Sequence, residues 1–495
     1  MSVSVGLGGV DRNACVSLCD SAKVLGVCEQ ERITRVRGDG FNPTGLPDEV
    51  LDTLLTRSGH QRTEVVQYAL AEPAGTPAGI NVVRVDHHLA HAYSAFLPSA
   101  FDSATIVVCD TESPRVSVWQ GSGRTVTRIP FDWQGPGFAD AYAQCAETLG
   151  FTGAGRQQRM EAMARLVPNR DDRATELLSL DGDRLRFAVN WKTRIEEWKT
   201  AGGRDDTAAV ASALQMRIGD LLIEFLTHTS RSTTGRSLCV GGGLFYNSYF
   251  NSLVKRCPAF EAVFVPINPG NAGLALGLSL FVSGAPRQPV TPFLGPSYTQ
   301  EEIKTTFDNC KLTYQWMSEA DATAVAVRSL KNGRLVGWFD GPMEWGPRAL
   351  GARSILANPF APYALDNLNR FLKQRASWRG YALSGLDAAV HEHFEGPPSS
   401  PFMECDFVPR DPRRFREILP TTSAGVRIQT VGADAPSRFR ALLRAWGEAV
   451  GIPIVVNTSF NGFSEPIVCS PRDAVRVFYG TGIDLLIADQ FVVSK

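Results

Sequence analysis

The sequence predicts an α/β fold in two parts, on three observations. The first 30 residues alternate short apolar runs with glycine and Asp-Ser turns, which favours three strands in a meander. Residues 237–247 and 263–281 each have the order of a strand, a glycine-containing turn and a helix. After a proline-rich stretch at 285–297, helical and strand patterns alternate to residue 495.

The opening meander also bears on the kind of α/β fold. A strand, a glycine loop with an acidic residue and a second strand form the start of each lobe in actin-like ATPases and sugar kinases. The edge of any β-sheet can have the same pattern, so this segment alone does not distinguish an actin-like lobe from another sheet. The length of 495 residues suggests two to four domains, at about 150 residues each. We predict domains at 1–284 and 298–495, joined by a linker at 285–297.

Composition excludes some classes of function. Lys and Arg number 50 against 51 Asp and Glu, a net charge of -1, which does not favour a nucleic-acid partner. No apolar run approaches the roughly 20 residues that span a bilayer, and the N-terminus has no basic leader, so we expect a cytoplasmic protein. The ten cysteines form no CxxC pair and are expected to be reduced, buried thiols.

A histidine cluster lies in the segment VDHHLAHAYSAF at 85–96. His87 and His91 are four residues apart, so on a helix they share one face, while His88 is turned about 100° away. Asp110, at the end of the apolar strand 104–110, could add a carboxylate. Two imidazoles with carboxylates suit Fe(II), Mn(II) or Zn(II). The alternative is a histidine pair that only packs, and spacing alone leaves both open.

Arginines on glycine-rich loops are concentrated after residue 337. Arginine offers bidentate donors and a permanent charge, and glycine allows backbone N–H groups to approach an anion, as a phosphate site requires. Surface arginines that only solvate a face are the alternative. The candidate donors are Arg348, Arg353, Lys373, Arg375, Arg379, Arg427, Asn457, Thr458 and Ser459.

Eight sequence blocks in order resemble the NodU/CmcH-type carbamoyltransferases. They are CEQERITRVR, VDHHLAHAYSAF, FADAYAQCAETLGF, GGGLFYNSYFN, PGNAGLALG, EWGPRALGARSIL, RIQTV and NTSFNGFSEPIV. The resemblance implies an N-terminal actin-like domain of two lobes, similar to the tRNA threonylcarbamoyl-transfer enzymes, and a C-terminal YrdC-like α/β domain. It also implies an activity: the C-terminal domain makes carbamoyladenylate from carbamoyl phosphate and ATP with Mg. The N-terminal domain then passes the carbamoyl group to a hydroxyl of a small molecule, often an antibiotic or other secondary metabolite.

The resemblance further implies three sets of site residues. The adenylating site would comprise Arg348, Arg353, Lys373, Arg379, Arg427, Asn457 and Ser459. A metal ion, Fe(II) or Mn(II), would be held by His87, His91, Asp110 and Asn271. Candidates for substrate or proton handling are His88, Asp11 and Arg159.

This chain departs from the family pattern at three of these positions. Asn271 stands where the family has an aspartate ligand, Val10-Asp11 replaces a His-Asp pair, and Arg159 replaces a lysine. These departures leave alternatives open: transfer to an amine, another use of the adenylate as in tRNA or hydrogenase maturation, or a nucleotide-binding protein with a degenerate transfer site. We expect a small-molecule acceptor and neither a nucleic-acid nor a membrane partner; a homodimer stays open.

Overall fold

The computed structural model describes residues 2–43, 45–72, 80–199, 203–421 and 424–495. The mixed α/β class is confirmed, because strands and helices alternate along the whole described chain. The strands of the N-terminal half are β1 (Val3–Gly8), β2 (Cys15–Cys19), β3 (Val24–Glu29), β4 (Val65–Ala71), β5 (Val82–Val85), β6 (Ser103–Cys109), β7 (Val116–Ser122), β8 (Thr125–Arg128), β9 (Leu178–Asp181), β10 (Arg184–Phe187), β11 (Ser237–Gly241) and β12 (Ala262–Phe264). Its helices are α1 (Gln30–Thr34), α2 (Asp48–Arg57), α3 (His87–Phe96), α4 (Phe138–Thr148), α5 (Arg156–Ala164), α6 (Asp172–Leu177), α7 (Trp191–Trp198), α8 (Arg204–Ser232), α9 (Ser248–Val254) and α10 (Leu274–Ser283).

Two five-stranded sheets of the N-terminal half share one topology. The first has the order β3-β2-β1-β4-β5, and the second has the order β8-β7-β6-β11-β12. In each sheet the first three strands form an antiparallel meander, and the last two strands run parallel to the first. The predicted meander of the first 30 residues is therefore confirmed, and the same arrangement occurs again about 100 residues later.

Helices α3 and α10 lie between these two sheets. The Asp86 carboxylate accepts the Leu89 N–H at 2.9 Å, so Asp86 caps the first turn of α3 as its sequence position predicts. Close packing of α10 against the first sheet brings Ser279 Oγ within 2.7 Å of Ser17 Oγ. This packing fixes the start of α3, which carries the histidines, beside the loops that follow β1 and β6.

The C-terminal half is built on one mixed sheet of ten strands. The order is β13-β22-β21-β14-β15-β20-β16-β19-β18-β17. Apolar side chains fill both faces, in one cluster beneath α12 and α15 and a second, larger cluster on the other face. The strands are β13 (Gln315–Trp316), β14 (Val336–Phe339), β15 (Arg353–Ala357), β16 (Leu383–Leu386), β17 (Phe394–Glu395), β18 (Cys405–Pro409), β19 (Val426–Val431), β20 (Ile454–Ser459), β21 (Leu485–Ala488) and β22 (Phe491–Ser494). The helices are α11 (Gln300–Asn309), α12 (Glu319–Lys331), α13 (Ala364–Asp366), α14 (Asp387–His393), α15 (Ser437–Val450) and α16 (Pro471–Gly480).

The proline-rich segment 285–297 has no helix or strand and connects the halves through its backbone. The Val27 N–H at the edge of the first sheet donates to Leu294 O at 3.0 Å. The Trp345 N–H from the C-terminal half donates to Pro292 O at 2.8 Å. The segment therefore lies fixed between β3 and the loop after β14. The domain boundaries themselves stay a prediction.

Candidate functional site

A cavity of about 640 Å³ lies between the two five-stranded sheets. The loops after the central strands β1 and β6 form two of its walls, as expected where the carboxyl ends of strands face a crevice. We call it the inter-sheet cavity. Polar side chains in its wall include Asp11, Arg12, Asn13, Glu72, His87, Asp110, Glu112, Tyr142, Gln157, Gln158, Glu161, Tyr246, Asn247 and Asn271.

Asp110 is held rigidly at the base of this cavity. Its Oδ1 accepts the N–H groups of Thr111 and Glu112 at 2.7 and 3.2 Å, and its Oδ2 accepts the Gly243 N–H at 2.9 Å. The neighbouring Gly242 has a φ of +99°, and a Cβ there would lie 2.2 Å from Cys109 O. Glycine is therefore required for the second loop to approach Asp110 so closely.

Two imidazoles complete a cluster with Asp110. His91 Nε2 lies 3.3 Å from Asp110 Oδ2, and His87 Nε2 lies 3.8 Å from Asp110 Oδ1. Both Nε2 atoms are buried without a hydrogen-bond partner in the described chain. One ligand atom from each of the three residues falls within 4.8 Å of the others. Burial alone would raise the pKa of the Asp110 carboxyl, but the two imidazoles and the Gly243 N–H hold it well below its usual range.

This donor set fits a divalent transition metal ion. Two imidazole nitrogens and one ionised carboxylate suit Fe(II), Mn(II) or Zn(II) and leave coordination positions open. The pair of unpartnered, buried Nε2 atoms also fits, because a purely structural histidine pair would find hydrogen-bond partners. The helical i, i+4 spacing that predicted this cluster is confirmed by α3.

Asn271 and Asp11 line the same cavity. Asn271 begins the short 3₁₀ turn that precedes α10, and its side chain is exposed to the cavity. Asp11 lies on the exposed loop after β1. Their positions make both side chains accessible to a ligand in the cavity, and neither is fixed by a contact to the two histidines.

A second polar cluster lies behind the wall of the cavity, at the contact between the two halves. Its four guanidinium groups belong to Arg165, Arg348, Arg379 and Arg427, which we call the arginine cluster. Burial and the neighbouring guanidiniums lower the pKa of Arg348 to about 9 and that of Arg379 to about 10. Arginines with depressed pKa values and few carboxylate partners favour an anion as the missing partner.

Comparison with known proteins decides the family. A family model described as the carbamoyltransferase N-terminus matches residues 77–280, and one described as the carbamoyltransferase C-terminus matches residues 327–495. The chain belongs to the carbamoyltransferase family. The resemblance carried by the eight sequence blocks is thereby confirmed, and so is its consequence that the protein is an enzyme of this class.

Two relatives of this carbamoyltransferase match it over most of their length. Protein sll1178 of Synechocystis sp. is 30% identical over 475 residues, which cover 83% of this chain and 76% of that protein. The 3'-hydroxymethylcephem-O-carbamoyltransferase of Streptomyces clavuligerus is 25% identical over 519 aligned positions, covering 94% of each chain. Among solved structures, full-length HypF in a phosphate- and nucleotide-bound form aligns with 57% of this chain and 55% of its own, at 12% identity and a TM-score of 0.43.

In this carbamoyltransferase, the side chain of Arg353, which is predicted for the adenylating site, makes its contacts within the fold. Its side chain is fully buried, and its guanidinium stacks 3.6 Å over the Phe339 ring. It donates to the backbone carbonyls of Asp340, Gly341 and Pro296. The Arg353 guanidinium therefore holds the loop after β14 and the proline-rich segment together through hydrogen bonds to their backbone carbonyls.

Asn457 and Ser459 on β20 have internal roles as well. The Asn457 amide donates to Ala349 O at 3.1 Å and to Ser384 Oγ at 2.9 Å, and its Oδ1 is buried without a partner in the described chain. Ser459 O and Oγ accept Lys373 Nζ at 2.7 and 3.4 Å. Burial lowers the pKa of Lys373 well below its usual range. Asn457 thus positions the Arg348 loop, and Ser459 holds Lys373.

His88 and Arg159 do not lie in the wall of the inter-sheet cavity. The ring nitrogens of His88 are 2.8 Å from Ser117 Oγ and 3.1 Å from Glu112 O, and burial lowers its pKa to about 4. The Arg159 guanidinium donates to Ala154 O at 2.9 Å and to Thr152 O. The contacts of both residues are those of positioning groups, which does not favour direct proton transfer by either.

Four buried charged residues beside the candidate site were missed by sequence reasoning. Glu161 and Arg165 lie i, i+4 at the end of α5, a spacing that resembles an ordinary exposed ion pair but is buried here. Glu29 and Arg32 hold the Arg348 loop: Glu29 Oε1 accepts the Gly346 N–H at 2.6 Å, and Arg32 donates to Gly346 O at 2.8 Å. The only sequence signal for Glu29 and Arg32 was their place in the block CEQERITRVR.

In the described chain, no helix is both long and apolar enough to cross a membrane.

Proposed function

We propose that this carbamoyltransferase makes carbamoyladenylate in its C-terminal half and transfers the carbamoyl group to a hydroxyl of a small molecule in the inter-sheet cavity. One observation carries the proposal: Glu161 lines that cavity and also contacts the arginine cluster, so an anion site and the His-Asp cluster share one wall. The repeated strand order of the two sheets supports an actin-like N-terminal domain. By family resemblance, the ten-stranded half would be YrdC-like.

The proposed chemistry balances as two coupled steps. Carbamoyl phosphate loses its phosphate to water, and the resulting carbamate oxygen attacks the α-phosphorus of Mg-bound ATP and expels pyrophosphate. The acceptor hydroxyl then attacks the carbamoyl carbon; the carbon–oxygen bond to AMP breaks, AMP leaves, and the hydroxyl proton passes to solvent or a base. Arg348, Arg379 and Arg427 would neutralise the phosphate oxygens, whose charge grows as each phosphate leaves.

His87, His91 and Asp110 would hold Fe(II) or Mn(II) beside the second step, with Asn271 in the same cavity. A bound metal ion there would polarise the carbamoyl carbonyl as a Lewis acid. The residues of the chain would orient the site and bind the acceptor. Asp110, fixed by three backbone N–H groups, orients the site, and the exposed polar groups Asp11 and Asn271 are placed to contact an acceptor.

Pyrophosphate release tests this proposal. The full-length protein is incubated with Mg-ATP, with and without carbamoyl phosphate, and pyrophosphate and carbamoyladenylate are measured. The expected result is release that requires carbamoyl phosphate, with the adenylate detected by mass spectrometry. Release at equal rates with and without carbamoyl phosphate would contradict the proposal. Arg444→Ala, on the exposed face of α15, is a matched control that should behave as the wild type.

A further inference from the structure

We infer that the Glu161 carboxylate occupies the place of a substrate anion within the arginine cluster and thereby sets the affinity of that cluster for phosphate groups. The inference rests on the proposed function, because it concerns the same anion site. Glu161 is an affinity-determining residue in this account: an incoming phosphate must replace it as the partner of Arg427.

The contacts of Glu161 are those of a bound anion. Its Oε1 accepts Arg427 Nη2 at 2.9 Å, a guanidinium nitrogen of Arg165, and the Ser248 N–H at 2.9 Å. Ser248 Oγ lies 2.7 Å from the same oxygen. Two guanidiniums, a backbone N–H and a hydroxyl around one oxygen are the donors that a phosphate oxygen typically receives.

All of these contacts fall on a single oxygen of the carboxylate. Oε2 accepts no hydrogen bond from the described residues, although Glu161 is only 2% exposed. Glu161 also lines the inter-sheet cavity. The carboxylate therefore lies between the cavity and the arginines. Its Oε1 accepts all of the hydrogen bonds, and its Oε2 accepts none from the described residues.

The charge balance leaves room for one more anion. The four arginines of the cluster are accompanied by two carboxylates, those of Glu161 and Asp406. Among the described residues, Arg348 donates only to Tyr246 O, at 3.4 Å, and the Arg379 guanidinium donates no hydrogen bond. A substrate phosphate would be attracted by this surplus of positive charge, but it would compete with Glu161 for Arg427.

Titration with inorganic pyrophosphate, by calorimetry on the full-length protein without ATP, tests the inference. Glu161→Gln keeps the shape of the side chain and removes its charge, so we expect pyrophosphate to bind about tenfold or more tightly than to the wild type. Asp181→Asn is the matched control. It removes an exposed carboxylate that pairs with Arg186 at 2.9 Å, outside the arginine cluster, so we expect a change below about threefold.

Two results would overturn the inference. One is a pyrophosphate affinity of Glu161→Gln that is no higher than that of the wild type. The other is equal tightening in Glu161→Gln and Asp181→Asn, which would reflect the net charge of the protein only. Glu161→Asp provides a second variant if Glu161→Gln fails to fold. Its shorter side chain places the carboxylate farther from Arg427, so we expect pyrophosphate to bind about threefold more tightly than to the wild type. Unchanged affinity in Glu161→Asp would count against the inference. Wild-type pyrophosphate release with carbamoyl phosphate, measured in parallel, reports separately on the proposed function.

Discussion

The Gly346 N–H donates a hydrogen bond to Glu29 Oε1 at 2.6 Å, across 317 positions of sequence. Glu29 ends β3 in the first sheet, and Gly346 begins the loop that carries Arg348. Gly346 has a φ of +94°, a conformation that glycine adopts without strain. The N-terminal half therefore determines where the main candidate arginine of the C-terminal half lies.

This contact predicts that Arg32 is essential for stability. Arg32 Nε lies 3.5 Å from Glu29 Oε2, and both side chains are buried. Arg32→Met would leave the Glu29 charge buried without its ion-pair partner, and we expect a loss of about 3–5 kcal/mol in the free energy of unfolding. Urea denaturation followed by circular dichroism measures it, with the exposed Arg444→Met as the control. An unchanged midpoint in Arg32→Met would show that the pair does not hold the halves together.

Loss of Arg348 should affect pyrophosphate release far more than loss of Ser459. We expect Arg348→Ala to reduce carbamoyl-phosphate-dependent release about 100-fold, because a charged donor that strengthens in the transition state is removed. Ser459→Ala removes a neutral group and should cost about 1 kcal/mol, or roughly fivefold. Steady-state assays of both variants beside Arg444→Ala give the comparison. Near-normal release by Arg348→Ala would place the phosphate site elsewhere.

The metal site makes a separate prediction about Asn271. A neutral amide oxygen is a weaker ligand than a carboxylate, so Asn271→Asp should tighten Fe(II) or Mn(II) binding by about tenfold. His91→Ala should abolish it. Metal content after purification and titration of the chelated protein measure both effects, with the exposed His228→Ala as the control. Pyrophosphate release should survive chelation once Mg is restored. Retention of the metal by His91→Ala would exclude this cluster as the ligand set.

Lys373 predicts a pH dependence of stability. Burial lowers the pKa of Lys373 in the folded protein, while the unfolded value stays near 10.5. The unfolded state therefore binds more protons at this residue between the two values, so its contribution to the free energy of unfolding rises with pH in that interval. Toward pH 9 we therefore expect the wild type to gain stability relative to Lys373→Met, in which residue 373 does not titrate.

Urea denaturation of both proteins at pH 7, 8 and 9 measures this difference. Other groups titrate in the same interval, but they are common to both proteins and cancel in the comparison. Parallel pH profiles would mean that Lys373 remains protonated in the folded state, held by Ser459 O and the Asn461 oxygens.

Local pattern was enough to single out the three residues of the His-Asp cluster, and it left open whether they bind a metal ion. His87 and His91 share a face because α3 is a helix, and Asp110 comes directly after a buried strand. Arg427 was predictable as the charged residue of the strand Val426–Val431. The residue types follow from each element alone, whereas the approach of Asp110 to the two histidines depends on how β6 packs against α3.

The burial of particular charged side chains and the pairing of distant strands depend on long-range packing, so the sequence did not predict them. Arg348 lies on a glycine-rich loop and Arg353 begins β15, the strand that follows the loop; the contact with Phe339 holds the Arg353 guanidinium in the core. Glu161 and Arg165 have the spacing of a solvated helix pair, and they become buried because the C-terminal half covers the end of α5. The shared strand order of the two sheets also escaped notice, since pairing between strands such as β6 and β11 leaves no local sequence signal.

The passage of an oxygen atom from carbamoyl phosphate to AMP tests the central claim most directly. The full-length protein is given Mg-ATP and carbamoyl phosphate labelled with ¹⁸O in its carbamoyl oxygens, and the AMP formed is examined by mass spectrometry. If the carbamate oxygen attacks the α-phosphorus and the carbon–oxygen bond later breaks, the AMP must carry ¹⁸O. Unlabelled AMP, or conversion of ATP to ADP instead, would contradict a carbamoyladenylate intermediate.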